Sequence, residues 1–412
     1  MEEIERVASQ LEKENNRKAA SDPAVRAALG VVHDFLKNHN VMCYGGTAIN
    51  NLLPPEDRFY DPKVDIPDYD FFSKTPQEHA MLIANKLAEV GIKEVEVKPG
   101  MHLGTFKVFA DYAGVADITH LDKEIFDRLW KEDVVREGIH YVPPNFLRMS
   151  MYLELSRPQG DVSRWTKVYK RLELLNKHYP LTCPGAEDEP RPLSDTQRRE
   201  VERILSKEDV VLLGITATQL HLGKRKPHWT TPVTLLASSE TREKLVKGRK
   251  SKTHKGTDVL PSHTDIYDED GDLFLRVHAT AACHSYHNVG DLKIASIPTV
   301  LQFYFAYLYS GLPEVDNTHI LCVAQRLLDI AAQKKKRRFA LLTPADCLGN
   351  QETLVDMRKH KAVLYEKLGK NKSSPEFLKY FFTYNPRDTA TRRKNVRDLL
   401  KKTRKARYES SY

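Results

Sequence analysis

Short apolar runs broken by glycine, proline and aspartate dominate the first half of the chain. Residues 40–44 form one such run, short and apolar enough to read as a buried strand. Gly45 and Gly46 end it, and residues 47–53 read as the start of a helix. Further on, Phe71 and Phe72 follow Asp68 and Asp70, so a second strand runs from a polar entry into a core. Residues 93–97 alternate, Gly100 and Gly104 punctuate, and residues 105–110 alternate again, which predicts a β-hairpin. Residues 115–119 end this region with a lone acid, Asp117, between apolar neighbours. Helical patterns flank these strands. Residues 1–15 read as an exposed polar helix and 25–38 as a second helix leading into the first strand. In residues 162–177, Trp165, Val168, Leu172 and Leu175 make an inward face, with Asp161 as N-cap.

The second half echoes the first. After a Pro-rich acidic stretch at 179–192, residues 209–217 mirror 40–48: an apolar run ends in glycine and opens a helix with Thr-Ala. Residues 232–238 mirror 67–73, residues 273–280 supply another alternating strand, and 296–301 mirror 142–147. Four matches in one order predict an internal duplication. The chemistry is not duplicated. Val233 and Leu235 are expected where the first copy has Asp68 and Asp70, and Ile215 where it has Gly46.

The unduplicated residues carry the candidate chemistry. Glycines at a strand-to-helix turn let backbone N–H groups approach a phosphate, and the new helix points its positive end there. Asp68 and Asp70 are two apart, so a strand puts both on one face. Adjacent carboxylates repel, and a divalent cation relieves the repulsion; oxygen ligands suit Mg²⁺ or Mn²⁺. Two metal ions need a third carboxylate, and Asp117 is the candidate, with Asp111 as competitor at a turn and Asp65 as a spare acid. Arg164, Lys167 and Arg171 share a helix face, either as countercharge for a polyanion or as a solvated surface.

Glycine pair, Asp-x-Asp and a later lone Asp together resemble the nucleotidyltransferase superfamily of DNA polymerase β type. Tyr44-Gly45-Gly46-Thr47-Ala48-Ile49-Asn50, the run from Asp65 to Ser73, and Val115-Ala116-Asp117-Ile118-Thr119 resemble the catalytic subunit of poly(A) polymerases from large nucleocytoplasmic DNA viruses. So do residues 141–147 and 154–158 through Arg164-Trp165, and the resemblance spans roughly residues 30 to 180. The gap between Gly46 and Asp68 is longer than the superfamily's usual one, through a loop at 54–62.

The resemblance implies an α+β fold. A palm-like mixed sheet with helices would be followed by a second, degenerate nucleotidyltransferase-like domain. The expected division is 1–40 helical, 41–190 catalytic with helical closure, 195–335 degenerate, and 336–412 basic and helical. The implied activity is template-independent addition of AMP from ATP to the 3′-hydroxyl of mRNA, with release of pyrophosphate. Asp68, Asp70 and Asp117 would be catalytic and hold two Mg²⁺ or Mn²⁺ ions. Gly45, Gly46 and Thr47, with Arg164, Lys167 and Arg171, would bind the nucleotide. The implied partners are an RNA 3′ end, ATP, and a second copy or a methyltransferase-like processivity subunit, in host cytoplasm or virion. The alternatives are another nucleotide preference, as in uridylyl or tRNA-end addition, a non-catalytic RNA-binding subunit, and small-molecule adenylyl transfer, which the basic surface disfavours.

Composition narrows the rest. A chain of 412 residues with 41% hydrophobic residues can build two or three cores, and no apolar run reaches the length of a membrane span. The net charge of +8 concentrates in a basic loop at 242–255, a run at 334–338 and a helix or tail at 392–407. Such runs bind phosphate backbones, or else are solvated tails or an import signal. Five scattered cysteines predict free thiols in a reducing compartment. Cys283-His284, near His278 and His287, lacks a second pair at zinc-ligand spacing, so no zinc site is read there.

Overall fold

The structure is a computed structural model that describes residues 2–61, 65, 67, 69–185, 191–224, 228–312, 315–343, 346–388 and 398. The chain divides into two compact units, one of Met1–Pro143 with the segment from Leu354 onward, the other of Pro144–Thr353.

The first unit opens with α1 (Glu2–Ser21) and α2 (Pro23–Asn38). Asp22 caps α2 by accepting from the backbone N–H groups of Ala24 and Val25, and Pro23 fits the first helical position. Ala28, Val32, Phe35 and Leu36 form its buried stripe. Then come β1 (Met42–Cys43), α3 (Gly45–Leu52), β2 (Asp70–Ser73) and α4 (Pro76–Glu89). The expected hairpin is β3 (Val95–Pro99) with β4 (Thr105–Ala110), and β5 (Ala113–His120) carries Asp117. Next are α5 (Lys123–Leu129), β6 (Val134–Arg136) and β7 (Ile139–Tyr141). The sheet runs β3-β4-β5-β2-β1-β7-β6, and it is mixed: β2 is parallel to β5 and antiparallel to β1.

The second unit begins with α6 (Pro144–Leu155), α7 (Trp165–His178) and α8 (Asp195–Lys207). Its sheet strands and helices follow as β8 (Val210–Leu213), α9 (Gly214–His221), β9 (Val233–Ala237), α10 (Ser239–Val246), β10 (Ser251–His254), β11 (His263–Tyr267), β12 (Leu273–Ala279), β13 (His284–Val289) and β14 (Leu292–Ala295). The helices α11 (Ile297–Ser310) and α12 (Asn317–Ala332) and the short β15 (Cys347–Leu348) complete it. Its sheet runs β10-β11-β12-β9-β8-β14-β13-β15. Apart from β15, this order and every parallel or antiparallel pairing repeat those of the first sheet. The duplication expected from the sequence is therefore present, and the fold class is α+β with two mixed sheets. Within the second unit α6 packs on α11, its counterpart from the other copy.

The chain returns to the first unit through α13 (Leu354–Leu368) and α14 (Pro375–Phe381). Tyr384 then exchanges two backbone hydrogen bonds with Val97, of 2.8 and 3.2 Å, which closes the β3 edge. The expected basic element at 392–407 lies outside the described residues, Asp398 apart.

Three expectations need correction. The repeat is offset by one residue: Leu213 pairs with Thr234, and Thr234 Oγ1 packs 3.2 Å from the Cβ position of Gly214. In the first copy Asp70 holds that place beside Gly45, so Thr234 replaces Asp70, not Leu235. The basic stretch at 242–255 is not all loop; α10, capped by Ser238, ends within it at Val246, and β10 pairs with β11. The cysteines are not all free. Folding brings Cys183 to Cys322 and Cys283 to Cys347 as disulfides, leaving Cys43 as a buried thiol.

Candidate active site

Where β1 passes into α3, Gly45 adopts φ +73°, a conformation that costs any residue with a Cβ. The helix starts at the glycines themselves rather than at Thr47, because Gly45 can make that turn. No side chain caps this N-terminus. Its first-turn N–H groups thus suit an anion. A Cβ on Gly45 would stand 2.8 Å from Asp70 Oδ2, closer than real contacts allow. The glycine bend and the carboxylate are therefore in direct contact.

Alternation decides which way Asp70 points. Phe71 is fully buried with its ring 6.1 Å from Phe35 of α2. Asp70 and Phe72 take the opposite face, where the Phe72 ring stacks on Tyr44 at 4.0 Å. On the neighbouring parallel strand Asp117 is the register partner of Asp70. Partners in adjacent strands stand roughly 4.8 Å apart and point the same way, so the two carboxylates share one face beside the bend. Asp68 lies outside the described residues.

A cation already serves this face. Lys107, opposite Asp117 on β4, ion-pairs with Asp117 Oδ2. Sequence reasoning missed Lys107; its signal is its in-phase position on the second hairpin strand. Below it run three hydroxyls: Thr105 Oγ1 meets Thr119 Oγ1 at 3.0 Å, and Thr119 meets Tyr44 at 2.9 Å. Burial, followed by the nearby Asp70, pushes the Cys43 thiol up. Burial and then Cys43 push the Tyr69 hydroxyl up to about 12. Neither group is a proton acceptor at neutral pH. The long loop before Asp68 is fastened from α3, since Asn50 Oδ1 accepts from the N–H groups of Phe59 and Tyr60, each at 2.9 Å.

The remaining candidates fall as follows. Gly46 and Thr47 lie in the first turn of α3, Thr47 buried. Asp111 sits in the β4–β5 turn at φ +46° and accepts from the N–H of Glu94, a local role. Arg164, Lys167 and Arg171 belong to the second unit. There a short 3-10 turn, Val162–Arg164, precedes α7, and Arg164 Nε donates to Glu154 Oε1 at 2.9 Å. Lys167 is exposed and Arg171 half-buried. In the second sheet Thr234 and Arg276 occupy the places of Asp70 and Asp117, so neither of those two carboxylates is kept there.

The described site is thus a glycine bend into a helix, with carboxylates on two adjacent central strands of a mixed sheet. Residues 30–161 match the family model described as poly(A) polymerase catalytic subunit. A protein of Acanthamoeba polyphaga mimivirus, named as a poly(A) polymerase catalytic subunit, is 31% identical over 160 residues, 38% of this chain and 27% of that protein. A protein of African swine fever virus with the same name is 27% identical over 228 residues, 52% of this chain and 46% of that protein. The chain thus matches less than half the length of each. In fold it is similar to the Megavirus polyadenylate synthase, with a TM-score of 0.79 at 18% identity over 97% of this chain and 89% of that one.

Proposed function

We propose that this protein is a template-independent polynucleotide adenylyltransferase that adds AMP from ATP to the 3′-hydroxyl of RNA. The carrying observation is the contact of Gly45 with Asp70 together with the registration of Asp70 on Asp117. In the reaction the 3′-oxygen forms a bond to the α-phosphorus, the α–β phosphoanhydride bond breaks, pyrophosphate leaves, and the hydroxyl proton passes to solvent. Asp70 and Asp117, with Asp68, would hold Mg²⁺ or Mn²⁺. The acids present fit that role: they are oxygen donors on one face, and Asp117 already accepts a cationic partner. When bound, divalent metal lowers the pKa of the attacking hydroxyl and offsets charge on the leaving group.

The chain's own residues do the rest. Gly45 lets the triphosphate approach the start of α3 without a side chain in the way, and the N–H groups of Gly46 and Thr47 bind it there. The hydroxyl row of Tyr44, Thr119 and Thr105 braces β5, which holds Asp117 in line with Asp70. Arg164, Lys167 and Arg171 are proposed as countercharge for a polyanion in their own unit, and charge reversal at Lys167 should weaken nucleotide or RNA binding.

The test is extension of a short labelled RNA with each nucleotide in turn. ATP-dependent extension by the wild-type chain, abolished in D70N and D117N, is expected. Extension only with another nucleotide would reassign the substrate, and full activity of both variants would overturn the site. A homodimer or a methyltransferase-like processivity partner rests on the resemblance alone. Long tails made by the monomeric chain would show that neither is needed. Action in host cytoplasm or virion likewise follows only from the resemblance. Among the described residues no helix is long and apolar enough to cross a membrane.

A further inference from the structure

The face of the second sheet that corresponds to the catalytic face of the first carries a different cluster. Arg276 stands where Asp117 stands in the first copy, and Asp265 stands where Lys107 stands, so the ion pair is reversed along the ladder. Arg276 holds Asp265 by two hydrogen bonds, Nε to Oδ1 at 2.7 Å and the terminal nitrogen to Oδ2 at 2.8 Å. Two residues along, the row that in the first copy is Gly100, Thr105 and Thr119 is His254, His263 and His278. In the first copy the two threonine hydroxyls bond each other; in the second the row is imidazole. His278 Nε2 meets the Tyr307 hydroxyl from α11. Both ring nitrogens of His263 and Nε2 of His254 are buried without a partner in hydrogen-bond geometry, although the Pro261 carbonyl lies close enough to act on His263. His263 is 2% exposed.

A buried polar nitrogen left unpaired costs about 1–3 kcal/mol, and at these rings the Pro261 carbonyl near His263 and Asp265 near His254 offset only part of it. One nitrogen each from His254 and His263 and one oxygen of Asp265 lie within 4.8 Å of one another. His254 Nε2 and Asp265 Oδ2 are 3.4 Å apart. Two donors bound to one tetrahedral zinc, each at about 2.0–2.1 Å, are separated by about 3.3–3.4 Å. His254 and Asp265 therefore already stand at ligand spacing; the His254 and His263 rings stack at 4.6 Å, so one ring turns to bring its nitrogen to the ion. His254 is on the strand at the end of the sheet and its side chain is 16% exposed, which gives an ion a way in.

We propose that this face of the second unit binds one transition-metal ion of the zinc type, through His254, His263 and Asp265. Arg276 is a positioning residue that aims the carboxylate. Because Arg276 also cancels the carboxylate's charge, binding depends on the two imidazoles. That selects Zn²⁺, Cu²⁺ or Ni²⁺ over Mg²⁺ and Mn²⁺. The site is chemically distinct from the oxygen-donor site of the first unit. It differs also from the Cys283 cluster, whose cysteine is in a disulfide.

The test is calorimetric titration of the chelator-treated full chain with ZnCl₂, followed by Co²⁺ substitution read by visible absorption. One equivalent of Zn²⁺ is expected, uncompeted by millimolar Mg²⁺, with a tetrahedral Co²⁺ spectrum. H254A, on the outer strand, and H263Q, which keeps the side chain's bulk, should each weaken Zn²⁺ binding at least tenfold. D70N should leave it unchanged. Absence of binding, or binding that survives both histidine substitutions in folded protein, would overturn the proposal. Loss of Zn²⁺ binding in D70N would do so too, by moving the ion to the other unit. The outcome is independent of whether the chain transfers AMP.

Discussion

At the residue scale, Gly45 is the most constrained position of the site. Alanine there is strained by a φ of +73° and meets Asp70 Oδ2 at 2.8 Å. G45A should lower unfolding free energy by about 1–2 kcal/mol through the backbone alone. It should also depress primer extension more than stability predicts, since the carboxylate must move. Denaturant titration and extension measured on the same preparation separate the two effects, and an active G45A would disconnect the bend from the chemistry. Lys107 supports a second prediction. It sits 41% exposed on Asp117, so K107M should reduce metal-free thermal stability only modestly. It should tighten Mn²⁺ binding severalfold, because a competing positive charge has gone. Weaker Mn²⁺ binding in K107M would mean that the lysine organises the acids instead of competing for them. Asp70 and Asp117 were legible before folding because an acid among apolar strand residues is conspicuous. Lys107 was not, since a lysine on an alternating strand is ordinary until its cross-strand partner is known.

At the scale of elements, what was readable depended on local signals. The strand–glycine–helix unit and the β3–β4 hairpin declare themselves through glycine punctuation and alternation, and both are present. The pairing of β2 with β5 was not legible, because residues 70 and 117 meet only through a parallel crossover containing α4 and the hairpin. The same blindness explains the one-residue offset of the repeat: the two Pro-led segments align by eye, whereas strand register is set by Gly214 against Thr234. The disulfides join residues 139 and 64 positions apart, beyond any local pattern. One element-scale prediction concerns the loop after α3. N50A removes the acceptor of two backbone N–H groups and should release the segment around Phe59 and Tyr60. Faster cleavage there in limited proteolysis, with little change in global unfolding, is the expected result. Unchanged cleavage would show that other contacts hold the loop.

At the scale of the molecule, two copies of one sheet have diverged in the chemistry of one face: the first keeps acids beside a glycine bend, the second replaces them with an Arg–Asp pair and imidazoles. Both copies share a reliance on buried neutral histidines, and this sets the pH response. Burial lowers His79 to about 4, helped by His39, in the first unit. In the second, burial lowers His221 to about 4 against the pull of the Ala295 carbonyl, and burial with Arg157 lowers His284 to about 3. In the unfolded chain a histidine titrates near 6.5. Between that value and 4 the unfolded state binds more protons than the folded one, so stability falls as pH falls. Stability from these groups is complete above about pH 6.5 and is lost progressively toward pH 4. Denaturant midpoints should be level from pH 7 to 8 and decline from pH 6.5 to 4.5, a range above most carboxylate titrations. H79Q retains a hydrogen-bonding group for Ser73, which meets His79 Nδ1 at 2.8 Å, and should flatten part of that decline. If H79Q left the slope unchanged, or if midpoints rose on acidification, the histidines would not be neutral in the fold and the acid sensitivity would have to come from the ion pairs instead.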